Sequence, residues 1–316
     1  MSPPPLEYVF KRVGELEIVL DVYLPTGATA DDPASVCVWW HGGGSYQGTR
    51  KACPPNMELL PTRSNIAFIS ADYRLAPQSN IHLILEDTVD AIDFIRRELP
   101  GRLEGKIDPT KLAVSGGSAG GWLALLAGIP TKGQPGAVVD PPVTCIASIY
   151  PITDVDTAFY TTKQRPVSYW PKGIIPDDQA APHIDPSDPE LCSSSTTSSR
   201  SIVYHYALQE ALWHHLWLVN APTQSPGAST DPRSFNVGER LEMAKRDGVE
   251  VPPLFLTSGT ADDKVDPAGA ERLASRLKSL GCDYVWDERQ GCDHLFDQDE
   301  SERMERMHEF LQRHLL

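Results

Sequence analysis

Two glycine clusters constrain this chain more than any other feature. The first, "VWWHGGGSYQG" (38–48), puts three consecutive glycines directly after an apolar, strand-like run. The second, "LAVSGGSAGGWLALLAG" (112–128), lies between an apolar strand pattern and an apolar helix pattern. Glycine is the costliest residue to order, and three together commonly mark a flexible linker. A linker at the exit of a buried strand contradicts its surroundings. The contradiction disappears if both clusters are tight turns in which backbone meets backbone, or a ligand, with no Cβ between them.

The rest of the chain supplies a frame for such turns. "EYVFKRV" (7–13) and "LEIVLDVYLP" (16–25), separated by Gly14-Glu15, predict a hairpin. "SVCVWW" (35–40), "IAFISADYR" (66–74), "KLAVSG", "VTCIASIYP" (143–151), "PPLFLTSG" (252–259) and "DYVWDE" read as further strands, several with the β-branched and aromatic character of buried ones. Helical patterns alternate with them, among them "HLILEDTVDAIDFIRREL" (82–99), "AGGWLALLAG", "PAGAERLASRLKSLG" and "ESERMERMHEFLQRHL". The alternation predicts an α/β fold with a mostly parallel central sheet and helices on both faces. Residues 152–250 break the rhythm with prolines, a Ser/Thr tract "SSSTTSSRS" (193–201) and one strong helix pattern over 202–219. We expect a core built from 1–151 and 251–316, with 152–250 inserted as a cap, and the Ser/Thr tract as an exposed mobile loop.

Composition excludes some roles. The 316 residues carry a formal charge of -15, from 28 Lys+Arg against 43 Asp+Glu, a surface that repels nucleic acid and anionic lipid. No apolar run approaches the roughly 18 to 20 residues of a membrane span. The N-terminal stretch lacks a signal-peptide core, so a cytoplasmic address is expected. The six cysteines are scattered without a CxxC pair and are expected as free thiols.

The chemistry centres on "VSGGSAGG". Gly116, Ser118 and Gly120 spell G-x-S-x-G between strand and helix, the pattern of a nucleophile elbow. Ser118 at a helix N-terminus directs the Ala119 N–H at a developing oxyanion. The "HGGG" loop upstream can supply further N–H groups from unobstructed backbone. A serine nucleophile needs a base, itself oriented by a carboxylate, in the chain order Ser, Asp, His. Of nine histidines, only His294 in "QGCDHLFD" falls in a loop between the last strand and the last helix. Asp262, Asp263 and Asp266 in "LTSGTADDKVDP" follow a strand's C-terminal end, and Asp262 is the first to clear the "SGT" turn. His214 and His215 are adjacent on a helix pattern and point in different directions, so neither a metal site nor a cofactor is expected.

"HGGG", "ADYRLAP" (71–77), "GGSAGG", "YPITD" (150–154) and the Asp262…His294 tail together resemble the hormone-sensitive-lipase-like esterases of the α/β-hydrolase fold. The resemblance covers about 35–150 and 250–316. It implies a Ser118, Asp262 and His294 triad, with Gly43, Gly44 and Ala119 forming the oxyanion hole. One departure stands out. The group usually has an acid just before the nucleophile, and this chain has Gly117.

Three functions follow as expectations. The first is a serine hydrolase of carboxylic esters; the second is a thioesterase, acyltransferase or lactone-forming enzyme acting on a carrier-bound, polyketide-like acyl group. The third, a non-catalytic binding protein of the same fold, should lack a triad member, and none is missing. Helical spacing over 202–219 places Leu208, Leu212, Trp213 and Trp217 on one face, predicting an apolar roof over the substrate pocket.

Overall fold

In a computed structural model, residues 4–131, 139–219 and 229–316 are described. Eight strands form one sheet: β1 (Leu6–Val13), β2 (Leu16–Tyr23), β3 (Ala34–Trp40), β4 (Ile66–Ala71), β5 (Ile107–Gly117), β6 (Cys145–Ile149), β7 (Leu254–Gly259) and β8 (Tyr284–Arg289). Their spatial order is β1-β2-β4-β3-β5-β6-β7-β8. β1 and β2 pair antiparallel with Val13 opposite Leu16, which leaves Gly14-Glu15 as the expected hairpin turn. β2 also pairs antiparallel with β4, and from β4 across to β8 every pairing is parallel. The expected fold class, a mostly parallel sheet clad with helices, is what the chain forms.

Alternation along the central strands shows why both faces need cladding. In β3, Val36, Val38 and Trp40 point into one apolar cluster, and Cys37 and Trp39 into another. Every residue of β3 and β4 is buried, as expected of a sheet covered on both sides. The first face packs against the helices Ile81–Arg97, Ala119–Gly128, Val237–Arg246 and Gly269–Ser279. The second packs against the short turns around Met57 and Leu60 and the terminal helix Glu305–Leu315, through Met307, Phe310 and Leu311. The helix read at 82–99 starts at Ile81, where the Asn80 side chain accepts from the N–H groups of His82 and Leu83 at 2.9 and 3.1 Å. All six cysteines are free. Among the described residues no helix is long and apolar enough to cross a membrane.

The stretch between β6 and β7 differs from its sequence reading in two places. The pattern over 202–219 is not one helix. It forms the helix Ile202–Glu210, stops at Ala211 in the left-handed region (φ 56, ψ 39), and ends in a π-helical turn, His215–Val219. The break rotates the second half so that Trp213 and Trp217 face inward. Trp217 stacks on Trp122 of the helix Ala119–Gly128, with ring centroids 4.7 Å apart and 17° between planes. Trp213 meets Trp217 edge-on at 4.5 Å. The Ser/Thr tract is the second correction, because it is tied to the body. Ser194 pairs with Gly48 through two backbone hydrogen bonds of 2.8 Å. The buried guanidinium of Arg200 donates to the carbonyls of Tyr46 and Ala76 and to the Gln78 side chain.

Trp217 is therefore a core residue, and its truncation is a stability experiment. Trp217→Ala should cost about 3–5 kcal/mol of unfolding free energy, the range for removing a buried aromatic. Urea denaturation would register this as a lowered midpoint; a midpoint within experimental error of wild type would show that the Trp122–Trp217 stack contributes little.

Candidate active site

The parallel strands end together. Trp40 of β3 lies opposite Gly116 of β5, and Gly117 opposite Ile149 of β6. The chain's most unusual backbone sits at this C-terminal edge, where open α/β sheets place their sites. Ser118 immediately follows β5 and precedes the helix Ala119–Gly128, with φ 58 and ψ -120. Such a conformation costs a residue with a Cβ of order 1–3 kcal/mol. It is held by hydrogen bonds from the Ser118 N–H to the Ile149 carbonyl (2.9 Å) and from the Trp122 N–H to the Ser118 carbonyl (3.0 Å).

The flanking glycines show what the sharp turn requires. A Cβ on Gly116 would land on the backbone of Gly120, and a Cβ on Gly120 would land on the Trp40 carbonyl oxygen. Strand, turn and helix are thus in backbone-to-backbone contact. The upstream loop is equally tight, and a Cβ on Gly42 would lie 3.0 Å from the Ser118 Cβ. Gly43 and Gly44 have φ 99 and 65, the left-handed region that favours glycine. His41 is 1% exposed, stacks on Tyr73 at 4.2 Å, and places Nδ1 2.8 Å from the Gly42 carbonyl. Burial lowers the His41 pKa below the ordinary histidine value, so the ring is a neutral prop for the loop. The Ala119 N–H, first of its helix, has no acceptor in the preceding turn.

Across the cavity, loops after β7 and β8 are laced together. The Ala261 N–H donates to the Cys292 carbonyl at 3.0 Å and the Gly291 N–H to the Thr260 hydroxyl at 2.8 Å. Asp262 and His294 meet here, with His294 Nδ1 2.7 Å from Asp262 Oδ2. The second oxygen, Asp262 Oδ1, accepts the Lys264 N–H at 2.9 Å. The neighbouring acids are otherwise engaged. Asp263 pairs with the Lys264 ammonium, while Asp266 binds Arg272 at 2.7 Å and accepts the Ala268 N–H at 3.3 Å. Ser118 and His294 line one cavity of about 480 Å³ together with Gly42, Gly43 and Gly44.

The cavity wall differs from the expected roof. Its aromatic side is made by Trp39, Tyr150, Tyr169, Tyr204 and His205, and Thr196 of the Ser/Thr tract also reaches it. Leu208, Leu212, Trp213 and Trp217 are not among the residues that line it; they pack in or against the core instead. The cavity meets the helix Ile202–Glu210 at its first turn, through Tyr204 and His205. Continuous apolar spacing through 219 concealed both the break and that end-on approach. Tyr204 leans on the glycine loop so closely that a Cβ on Gly44 would strike its ring. His205 packs against Trp170 at 4.1 Å, and burial pushes its pKa down to about 4, so it stays neutral near pH 7. The sequence shows Tyr150 only as a strand end and as the first residue of "YPITD", with no site role, yet its ring lies 4.4 Å from that of His294.

With this geometry in place, the BD-FAE family pattern matches residues 20–179, about half the chain, and that of the prolyl oligopeptidase family (Peptidase_S9) matches 203–316. The chain belongs to the BD-FAE family of α/β-hydrolases. Its fold is similar to that of an α/β hydrolase superfamily protein from Enterococcus faecalis, with a TM-score of 0.68 and 21% identity over 94% of this chain and 96% of that one. It is also similar to the apo form of Thermogutta terrifontis esterase 2 (TM-score 0.62, 18% identity, 99% and 94% covered). Among curated proteins, methylphloroacetophenone synthase of Cladonia uncialis is 27% identical over 93% of this chain and 12% of its own length. The non-reducing polyketide synthase stbA of Stachybotrys bisbyi is 36% identical over 37% of the chain and 5% of its own length. The chain thus spans only a small part of the curated relatives it matches.

The contact between Gly120 and the Trp40 carbonyl yields a direct test. Gly120→Ala should prevent the turn from closing and remove folded protein from the soluble fraction. Circular dichroism and thermal melting of any soluble product would check this, and a native melting profile would contradict it. Gly44→Ala should fold, with Tyr204 displaced from the cavity wall and a changed near-UV spectrum.

Proposed function

We propose that the protein is a serine hydrolase that cleaves carboxylic esters through an acyl-enzyme. The observation that carries this reading is the 2.7 Å contact between His294 Nδ1 and Asp262 Oδ2, on a cavity that the strained Ser118 also lines. In the proposed cycle, His294 Nε2 takes the Ser118 proton as Oγ attacks the ester carbonyl. The tetrahedral oxygen gathers negative charge where the N–H groups of Gly43, Gly44 and Ala119 can stabilise it. His294 then gives its proton to the departing alcohol, leaving the acyl group on Ser118. Water, deprotonated by the same imidazole, hydrolyses that ester and frees the serine. Asp262 fixes the tautomer with Nδ1 protonated and stabilises the imidazolium between the two transfers. No cofactor enters this scheme. The stretch 152–250 would serve as the cap, contributing Tyr169, Tyr204 and His205 to the acyl pocket.

One observation favours a second reading of the same cycle. The curated relatives matched over more than nine tenths of the chain include polyketide synthases, of whose length the chain covers 12 or 13%. A domain of that size could release or transfer an acyl group from a carrier-bound thioester, with an alcohol or an internal hydroxyl replacing water. Ester and thioester substrates compared side by side, with added alcohol acceptors, would separate the two fates.

Ser118→Ala should remove ester hydrolysis and fluorophosphonate labelling with the fold intact, a loss on the order of a millionfold in a comparable triad. A purified variant retaining more than about one per cent of the rate would overturn the assignment, given that scale. Asp262→Asn should cost less, roughly ten-thousandfold, because the group orients and does not react. Greater damage from Asp263→Asn or Asp266→Asn would transfer the role to another carboxylate.

A further inference from the structure

Behind the imidazole of His294, on the side of its ring face, lies a buried pair that the cycle above does not use. The Tyr150 ring packs against the His294 ring at 4.4 Å and 51°. The Tyr150 hydroxyl donates a short hydrogen bond to Asp297 Oδ1 across 147 residues of sequence. Asp297 has no solvent exposure, and its other oxygen, Oδ2, is buried with no hydrogen-bond partner among the described residues. Neither end of the pair is free to drift. Tyr150 sits in the left-handed region (φ 36), with its N–H on the Thr257 carbonyl at 2.7 Å. The Asn56 side chain holds the Asp297 carbonyl at 3.0 Å. The phenol packs closely on Gly117, where a Cβ would lie 3.0 Å from both the ring and the hydroxyl of Tyr150.

A half-satisfied buried carboxylate is costly, and an isosteric neutral group would remove the part of that cost due to the charge. We propose that Asp297, acting through Tyr150, is a positioning residue that holds an electron-rich aromatic face against His294 and stabilises the imidazolium formed when Ser118 gives up its proton. This inference rests on His294 being the base. Asp262 binds the ring at Nδ1, whereas the Tyr150 ring packs against it tilted by 51°, so the two supports are separate contacts. A phenol donating to a carboxylate carries a more negative ring than a free phenol, which strengthens its attraction for a cation above it. Burial pushes the Asp297 carboxyl up to about 6. A carboxyl raised above its unfolded value favours folding below that unfolded value, and the benefit is lost as pH rises through about 6. The groups facing Asp297 are the Tyr150 phenol, the His294 imidazole and, further off, the Glu302 carboxylate. Asp262 adds its charge at Tyr150.

The test compares Asp297→Asn, Tyr150→Phe and the double variant with wild type. Asn keeps the shape and an acceptor oxygen without the charge; Phe keeps the ring without the hydroxyl. On a p-nitrophenyl ester each single variant should lose about two- to thirty-fold in kcat, the range of a cation–π contact, with KM little changed. The double variant should be no slower than the slower single, because both changes break one unit. The acid limb of the pH–rate profile should move to lower pH in Asp297→Asn, since the imidazolium loses a stabilising charge. Its melting temperature above pH 6 should equal or exceed that of wild type, which no purely structural role for Asp297 would allow. Wild-type kcat with an unmoved acid limb in the folded variants, or multiplying losses in the double, would overturn the proposal. If Asp297→Asn does not fold, the same readouts on Tyr150→Phe decide. His294→Ala separates the layers: if it retains activity, the triad reading fails, and if it is inert while Asp297→Asn is unaffected, only this inference fails.

Discussion

Backbone contact at one point fixes everything else in this protein. Gly116 and Gly120 press on each other, and Gly120 presses on the Trp40 carbonyl, so the ends of β3 and β5 and the helix after Ser118 share a single small volume. No side chain could occupy that volume. Because the helix must start there, Ser118 is forced to φ 58 at the sheet edge, and the N–H of Ala119 is left pointing outward from the helix N-terminus. The strain at Ser118 is small against the burial that surrounds it. The helix Ala119–Gly128 is buried at every position, and its apolar side chains pack into the larger core cluster.

That helix also links Ser118 to the stretch between β6 and β7. Trp122, one turn beyond Ser118, stacks on Trp217 and donates its indole N–H to the Phe235 carbonyl at 2.9 Å. Arg200 reaches from the Ser/Thr tract to the Tyr46 carbonyl, two residues past the glycine loop. Removing such a guanidinium would strand buried carbonyls that water cannot reach. The same residues therefore seat the stretch over the sheet and hold the glycine loop beside Ser118. Positioning of the site and folding of this stretch draw on one set of contacts.

How much of this was legible in the sequence follows from the range of the forces involved. Strands β3 to β7 announce themselves because two-sided burial demands continuous β-branched and aromatic runs, a local signal. The elbow and glycine loop are legible because no residue but glycine tolerates such backbone approaches, and Asp262 and His294 because strand ends fix where loops fall. The break at Ala211 is not legible, since nothing in "LQEALWHHLW" forbids a continuous helix. The benefit of burying Trp213 and Trp217 against Trp122 is tertiary and outweighs the local preference. The Ser/Thr tract misled for a related reason. Its polar composition describes solvated serines correctly, but its anchors, the Ser194–Gly48 backbone pair and the bonds from Arg200 to Tyr46, Ala76 and Gln78, reach more than 100 residues away. Tyr150 and Asp297 belong to the same class of long-range pairing.

Two carboxylates near one histidine could be redundant, and their surroundings show that they are not. Asp262 has both oxygens engaged, by the His294 ring and the Lys264 N–H. Asp297 accepts one hydrogen bond from a phenol and is otherwise desolvated, which raises its pKa and weakens its hold on charge. The first environment suits a permanent counter-ion in the plane of the imidazole. The second suits a group that makes no hydrogen bond to the imidazole and holds the Tyr150 ring against it. Gly117 lets the phenol pack closely before Ser118, where a Cβ would lie 3.0 Å from the Tyr150 ring and hydroxyl and require a small adjustment.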